Sequence, residues 1–252
     1  MKLTTLTAAT LLFAAQYALA SDCQVLSTLP AEIDTPGKYC LDRSHDLALG
    51  DSDAAITILA SDVELDLRGH TLRNPVYKGG LCNAEYQSQF SIGISVFEAR
   101  NVRVHNGALR CFYTGVQFSQ HRCGDCNQGN QARDLRIHQS GFAGIFAVGD
   151  FGLYADNHIT DTGHAEDRDG RGLYVSGDGN TIRNNDVQFV WDPGIGIATG
   201  NGHLNLVVEN RVQNARTGFS LFSGSEVRYR DNLTAAVQQA YAGTADDVGN
   251  ND

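Results

Sequence analysis

The chain has 252 residues and is acidic, with 19 Lys and Arg against 29 Asp and Glu and a formal net charge of −10. Such a chain is a poor non-specific partner for nucleic acid or for an anionic membrane surface. No stretch beyond the first twenty residues is long and apolar enough to cross a bilayer, so we expect no membrane span.

The first twenty residues have the pattern of a secretory signal peptide. Lys2 supplies the positive start, residues 6–15 are apolar, and Ala18-Leu19-Ala20 is a small-x-small cleavage site. The alternatives are a membrane anchor or a buried N-terminal helix. We expect residues 1–20 to be removed and the mature protein to be secreted or periplasmic.

All six cysteines lie in the exported part, and an even number in an oxidising compartment favours disulfides. Proximity along the chain suggests three pairs. The alternative for the Cys-Gly-Asp-Cys segment is a redox or zinc motif, but no second such pair follows it. The expected disulfides are Cys23–Cys40, Cys82–Cys111 and Cys123–Cys126.

A glycine followed by alternating apolar residues recurs every 22 to 29 residues. Short strands that recur in the same order are what the coils of a β-solenoid require, because stacked rungs bury the apolar face that one rung leaves exposed. Alternation places every second side chain in the core. The glycines are Gly93, Gly115, Gly144, Gly172, Gly196 and Gly218, and the expected core includes Ile94, Val96, Val116, Phe118, Ile145, Leu173, Val175, Ile195, Ile197, Phe219 and Leu221.

A second repeated element carries an asparagine before an aliphatic residue. Its copies centre on Asn157, Asn185, Asn210 and Asn232. We interpret these asparagines as structural, stacked in turns with their amides hydrogen-bonded along the coil, rather than as ligand-binding residues.

These repeats predict an all-β, single-domain right-handed parallel β-helix of roughly eight rungs over residues 56–233. Residues 21–55 form the expected N-terminal cap and 234–252 the expected C-terminal cap. Within the latter we expect a short helix at 234–241 and a frayed tail from residue 244. The alternative is an antiparallel sandwich or jelly roll, which gives no reason for the recurring strand order.

Residues 56–72, 101–107 and 179–187 resemble rungs of the bacterial right-handed β-helix repeat proteins of the pectate-lyase-like superfamily. The resemblance covers most of the mature chain and implies the fold. The superfamily includes polysaccharide lyases, glycoside hydrolases, uronate epimerases and proteins of no known activity. Asp192-Pro193-Gly194 begins like the Asp-Pro-His-Asp of mannuronan epimerases and then departs from it.

The most unusual segment is the loop 164–171, which interrupts the repeat just before Gly172. It offers one imidazole, three carboxylates and two guanidinium groups. A lyase would use His164 or Tyr174 as base, with Arg168 or Arg171 neutralising the substrate carboxylate. Ca²⁺ is the candidate cofactor, with Glu166, Asp167 and Asp169 as oxygen ligands. A hydrolase would instead pair Asp167 or Asp169 with Asp192.

Register predicts a column of charged and aromatic residues beside this loop, suited to stacking on sugar rings and clamping a uronate carboxylate. We therefore expect a monomeric carbohydrate-active protein, a polysaccharide lyase first and a hydrolase or epimerase second, acting on an acidic polysaccharide. The alternatives are a non-catalytic carbohydrate-binding or envelope-surface β-helix protein and, for the loop itself, a solvated turn with local ion pairs. The candidate substrate-binding residues are Arg110, Tyr113, His138, Tyr174, Trp191 and Arg216.

Overall fold

The computed structural model describes residues 23–74, 82, 90–119, 126–163, 170–191, 194–221 and 226–252. The expected signal peptide lies outside this part of the chain. The described residues form strands joined by short turns, and every strand pair is parallel. The expected parallel β-solenoid is therefore confirmed.

One side of the coil is a nine-stranded sheet, the smaller sheet, to which each rung contributes one strand. The repeated glycines lie at the second position of most of these strands. The strands are β2 (Ala31–Ile33), β5 (Ala54–Ile58), β8 (Ile92–Phe97), β10 (Thr114–Ser119), β12 (Ala143–Val148), β15 (Arg171–Ser176), β18 (Ile195–Thr199), β21 (Thr217–Leu221) and β24 (Gln239–Gly243).

The rest of the coil is a sixteen-stranded sheet, the larger sheet, made of two columns that the long strands β9 (Arg103–Arg110) and β11 (Gln131–Ser140) join. The first column also contains β1 (Gln24–Leu26), β3 (Gly37–Leu41), β6 (Val63–Asp66), β13 (Leu153–Ala155), β16 (Thr181–Arg183), β19 (Leu206–Val208), β22 (Arg228–Arg230) and β25 (Asp246–Asp247). The second contains β4 (His45–Asp46), β7 (Thr71–Arg73), β14 (His158–Thr162), β17 (Asp186–Val190), β20 (Arg211–Gln213) and β23 (Leu233–Ala235).

The two columns of the larger sheet meet at a bend that uses one left-handed residue per rung, such as Asp156 at φ 61° and Asn184 at φ 51°. Asn and Asp tolerate this conformation better than other non-glycine residues. In the four rungs with Asp156, Asn184, Glu209 and Asp231 at this bend, the next residue is the repeated asparagine. This order explains why the sequence repeats an Asx-Asn pair.

The repeated asparagines form the predicted ladder inside the coil. Asn157, Asn185, Asn210 and Asn232 are at most 1% exposed. Each amide nitrogen donates to the Oδ1 atom of the asparagine in the next rung, at 2.9 to 3.1 Å. The ladder ends on Asn251. The sequence did not point to a second, shorter ladder, in which the backbone N–H of Asn180 donates to Asn205 Oδ1 at 2.8 Å.

Alternation in the smaller sheet places the expected apolar residues in the core, with one exception. Ile94, Val116 and Leu173 have no exposed surface. Ile195, expected in the core, is only half-buried. It precedes the repeated glycine and aligns with Arg171 and Thr217 rather than with the apolar positions after the glycine, so that prediction is wrong.

The repeated glycines stack on one another and leave no room for a side chain. A Cβ atom on Gly172 would lie 2.5 Å from the carbonyl oxygen of Gly196, and one on Gly196 would lie 2.8 Å from that of Gly218. Each would also press on a core residue, Val187 and Val212 respectively. Close packing between rungs therefore requires glycine at this repeated position.

The segments expected as caps contribute strands to the coil. Seven of the nine strands of the smaller sheet lie between residues 54 and 221, against roughly eight rungs expected, and β2 and β24 extend the sheet at either end. Residues 234–241, expected to be a short helix, contain part of β23 and of β24 instead. The expected frayed tail contains β25, and its Asn251 extends the ladder, so both expectations are wrong.

Disulfides join Cys23 to Cys40 and Cys82 to Cys111, with Cα–Cα distances of 5.8 and 5.3 Å, which confirms two expected pairs. Cys126 is also disulfide-bonded, and its expected partner Cys123 lies outside the described residues. Disulfides are typical of proteins that fold outside the reducing cytoplasm. No helix in the described part of the chain is long and apolar enough to span a membrane.

Candidate functional site

The candidate site lies where the chain turns from the second column of the larger sheet into the smaller sheet. In successive rungs this turn contains a left-handed residue, including Cys111 at φ 66°, Gln139 at φ 58° and Asp161 at φ 55°. We call this edge the insertion corner. Two insertions begin and end here, residues 74–91 between β7 and β8 and residues 163–170 between β14 and β15.

The ends of these two insertions are held at the corner. The Cys82–Cys111 disulfide ties the first insertion to the turn that follows β9. The base of the second is formed by Gly163 and Gly170, which touch so closely that a Cβ on Gly163 would lie 2.6 Å from the Gly170 Cα atom. Gly163 also has φ +94°, a conformation that side chains rarely adopt. No pattern in the sequence predicted this glycine pair.

Part of the predicted site lies outside the described residues. His164, Glu166, Asp167, Arg168, Asp169 and Asp192 all fall there. Their proposed roles in catalysis or Ca²⁺ binding stay predictions. Within the described residues, no group of three His, Cys, Asp or Glu side chains is arranged to hold a metal ion.

An aromatic stripe runs along the coil at the insertion corner and over the outer face of the smaller sheet. Each ring contacts the next, with centroids 4.9 to 5.9 Å apart. The Phe146 and Tyr174 rings are nearly parallel, at an interplanar angle of 15°. The stripe crosses four strands, or about 14 Å at the usual strand spacing. Its members are Phe90, Tyr113, Phe142, Phe146 and Tyr174.

The positively charged guanidinium group of Arg171 packs against two aromatic rings of this stripe. Its guanidinium carbon is 4.5 Å from the centroid of the Tyr174 ring and 5.8 Å from that of Phe142. Its Nε atom is buried without a hydrogen-bond partner, and no described carboxylate forms an ion pair with it. A guanidinium so placed gains about 0.5–2 kcal/mol from the rings but still has hydrogen bonds to donate.

A polar cluster lies on the other side of the insertion corner, on the outer face of the larger sheet. Arg110 and His138 are register partners on β9 and β11. The Nε and Nη2 atoms of Arg110 donate to Gln139 Oε1 at 3.1 and 2.9 Å. His138 Nδ1 lies 2.6 Å from Thr160 Oγ1 and 3.3 Å from Asp161 Oδ2. The structure thus brings Arg110, Tyr113 and His138 together at one corner, as register predicted.

The remaining predicted residues lie further along the same edge. Trp191 is 53% exposed, and its backbone N–H donates to the Thr162 carbonyl at 2.9 Å. It lines a shallow depression with Phe189, an exposed residue that no sequence pattern predicted. Arg216 occupies the next turn, where its carbonyl accepts hydrogen bonds from residues that lead into β24.

The described part of the insertion corner is rich in cations for a chain of net charge −10. Arg110, Arg171 and Arg216 lie along it, while Asp161 is the carboxylate paired with His138. Guanidinium groups bind carboxylates bidentately, and aromatic faces stack on apolar faces of ligands. The arrangement is therefore chemically suited to an anionic ligand with flat, partly apolar faces.

A sequence model described as a right-handed β-helix region matches residues 87–240, more than half of the chain. The chain belongs to this family of right-handed β-helix proteins. This match also establishes the predicted handedness.

Among solved structures, the chain is similar to the crystal structure of Dettilon tailspike protein, at a TM-score of 0.50 and 14% identity. The alignment covers 89% of this chain and 54% of that one, so the chain spans about half the length of the tailspike structure. This likeness shows the fold alone. No curated protein matches the sequence.

Proposed function

We propose that this β-helix protein binds an acidic polysaccharide along the aromatic stripe and cleaves it as a lyase. The observation that carries the proposal is the position of Arg171 over the rings of Phe142 and Tyr174, without a carboxylate partner among the described residues. A uronate ring could stack on the stripe while its carboxylate accepts hydrogen bonds from this guanidinium.

The energetic argument favours an anion over a neutral ligand. Hydrogen bonds to a charged group contribute about 1.5–3 kcal/mol, and aromatic neighbours keep water from competing for them. A neutral sugar would gain the stacking but would offer no negative charge to the Arg171 guanidinium. The protein should therefore prefer uronate polymers over neutral polymers of the same geometry.

The side chains of the described corner favour elimination over hydrolysis. Hydrolysis of a glycosidic bond generally requires two carboxylates that flank it. Elimination requires a cation that stabilises the charge developing at the uronate carboxylate, together with a base. The described corner offers arginines and a histidine. The carboxylate of its polar cluster, Asp161, is paired with His138. The superfamily that the sequence resembles includes both lyases and hydrolases, so this choice rests on the side chains of the corner.

Binding is the first test, because it separates the ligand class from the chemistry. Oligomers of galacturonate, mannuronate and glucuronate would be titrated calorimetrically against the purified protein. The carboxyl-reduced oligomers serve as neutral controls. We expect at least one uronate series to bind, and its reduced form to bind at least about tenfold more weakly.

The matched variants are Arg171→Ala and Arg183→Ala. Arg183 is an exposed arginine of β16 on the larger sheet, so both variants remove one positive charge. We expect Arg171→Ala to weaken uronate binding by about 10- to 100-fold and Arg183→Ala to change it by less than about twofold. Equal effects of the two variants would contradict the proposed site, and a lack of uronate binding would refute the function.

A further inference from the structure

His138 has the contacts of a catalytic imidazole rather than of a simple packed surface residue. Its Nδ1 atom lies 3.3 Å from Asp161 Oδ2 and 2.6 Å from Thr160 Oγ1, both on the next rung. A proton on Nδ1 that is shared with these acceptors leaves the lone pair on Nε2, which is then the basic atom. The carboxylate also stabilises the imidazolium that forms when Nε2 takes up a proton.

A cation lies in the adjacent rung on the other side of this histidine. Arg110 is the register partner of His138, and both side chains are on the outer face of the larger sheet. Gln139 accepts two hydrogen bonds from Arg110 and so fixes the orientation of its guanidinium. No described carboxylate forms an ion pair with Arg110. A base and a cation that can hold a carboxylate are therefore neighbours.

The chain turns from this pair directly onto the aromatic stripe. Tyr113 follows Arg110 by three residues and Phe142 follows His138 by four, and their rings stack at 5.5 Å. A polymer lying along the stripe would pass the imidazole at the insertion corner. Other histidines also pair with carboxylates, as His203 does with Asp178 at 3.2 Å. That pair lies after β15, at the end of the smaller-sheet strands opposite to the insertion corner.

We propose that His138 is the general base of the lyase, that Arg110 neutralises the carboxylate of the uronate that is cleaved while Arg171 binds that of another uronate in the same polymer, and that Asp161 is a positioning residue. This assignment rests on the proposed function. His138 Nε2 removes the proton from C5 of a bound uronate, and the electron pair of that C–H bond forms the C4–C5 double bond. The C4–O bond breaks, its electron pair leaves with the glycosidic oxygen, and water protonates that oxygen. The histidine then returns its proton to the resulting hydroxide.

The test uses one uronate oligomer that the protein binds, with binding and turnover measured separately. Turnover is followed by the ultraviolet absorbance of the unsaturated product. General base catalysis contributes about 10²- to 10⁴-fold, so we expect His138→Ala to lower kcat by at least about 100-fold and to change Kd by less than about threefold. Added imidazole should restore part of the activity of His138→Gly.

Two further variants separate a positioning role from a merely structural one. Asp161→Asn keeps the shape of the side chain and removes its charge, so we expect kcat to fall at least about tenfold while KM stays within about twofold. His203→Ala removes the matched histidine of the distant pair and should leave kcat unchanged. Thermal unfolding of each variant checks that it is folded.

The outcomes distinguish this inference from the proposed function. Uronate binding without any unsaturated product would overturn the role of His138 and leave the binding function intact. Turnover by His138→Ala within about threefold of the unmodified protein would place the base elsewhere. A protein that binds no uronate polymer would refute the proposed function, and the base assignment with it.

Discussion

Replacing Asn185 with alanine tests whether the buried asparagine ladder stabilises the coil. The Asn185 Oδ1 atom accepts hydrogen bonds from the backbone N–H and the side-chain amide of Asn157, at 3.1 and 2.9 Å. Its own amide donates to the carbonyl of Tyr154 and to Asn210 Oδ1, both at 2.9 Å. The side chain is only 1% exposed, so water cannot replace these four hydrogen bonds without entering the coil.

The magnitude follows from the partners that would be left behind. The Asn157 amide keeps its bond to the Ala132 carbonyl, and Asn210 Oδ1 keeps the backbone N–H of residue 185. The backbone N–H of Asn157 has no other partner among the described residues, and an orphaned buried donor costs about 1–3 kcal/mol. With the other lost bonds, Asn185→Ala should lower the free energy of unfolding by about 3–5 kcal/mol.

Urea unfolding followed by circular dichroism would measure this change, with thermal unfolding alongside it. At about 2–4 °C per kcal/mol for a chain of this size, Tm should fall by roughly 6–20 °C. The control is Asn251→Ala at the end of the same ladder, where the side chain is only partly buried and makes fewer contacts across rungs. A loss below about 1 kcal/mol, or one no larger than that of Asn251→Ala, would refute a stabilising role for the ladder.

Two further predictions concern stability. Gly172→Ala should lower the free energy of unfolding by at least about 2 kcal/mol in urea unfolding, because its Cβ would press on Val187 and on the Gly196 carbonyl. Burial raises the pKa of the Asp186 carboxyl, but hydrogen bonds from Arg211 and Gln188 outweigh this and lower it overall. This pair should therefore stabilise the protein above about pH 4, the unfolded pKa, and its contribution should disappear as the pH falls through the folded pKa.

Each of these predictions has a control. Gly50→Ala, where a Cβ would meet the movable carboxylate of Asp53, should have little effect, and a Gly172→Ala protein of equal stability would contradict the stacking argument. Asp186→Asn should lower Tm near pH 7, and its difference from the unmodified protein should shrink as the pH falls below about 4 and vanish once the pH is below the lowered folded pKa of the carboxyl. A Tm difference that persists unchanged at low pH would show that the ion pair is not its cause.

The site was only partly predictable from the sequence. Register alone brought Arg110, Tyr113 and His138 to one corner, because a repeat of nearly constant length places equivalent positions above one another. Nothing in the sequence indicated that Asp161 would reach His138, since that contact depends on the left-handed conformation of Asp161 near the end of β14. The contact of Arg171 with two rings likewise depends on which way each side chain faces outside the coil.

The repeat by itself determined the coil. Recurring glycines, alternating apolar residues and Asx-Asn pairs each record a local requirement, namely close packing between rungs, a buried face and a left-handed bend with an amide ladder. A requirement that recurs in every rung leaves a repeated signal in the sequence. The ends were mispredicted because residues 234–252 depart from the apolar pattern, although strand pairing and Asn251 still extend the coil.

Only the tertiary structure decided which polar residues meet at the insertion corner. Arg110, His138 and Asp161 come from three successive rungs, and Arg171 lies across the corner from them, on the next strand of the smaller sheet. The register partners of His138 and Arg171 in the neighbouring rungs are other residue types, so these two residues leave no periodic signal. Their grouping results from the tight rung spacing and the turn geometry, which bring together side chains that are distant along the chain.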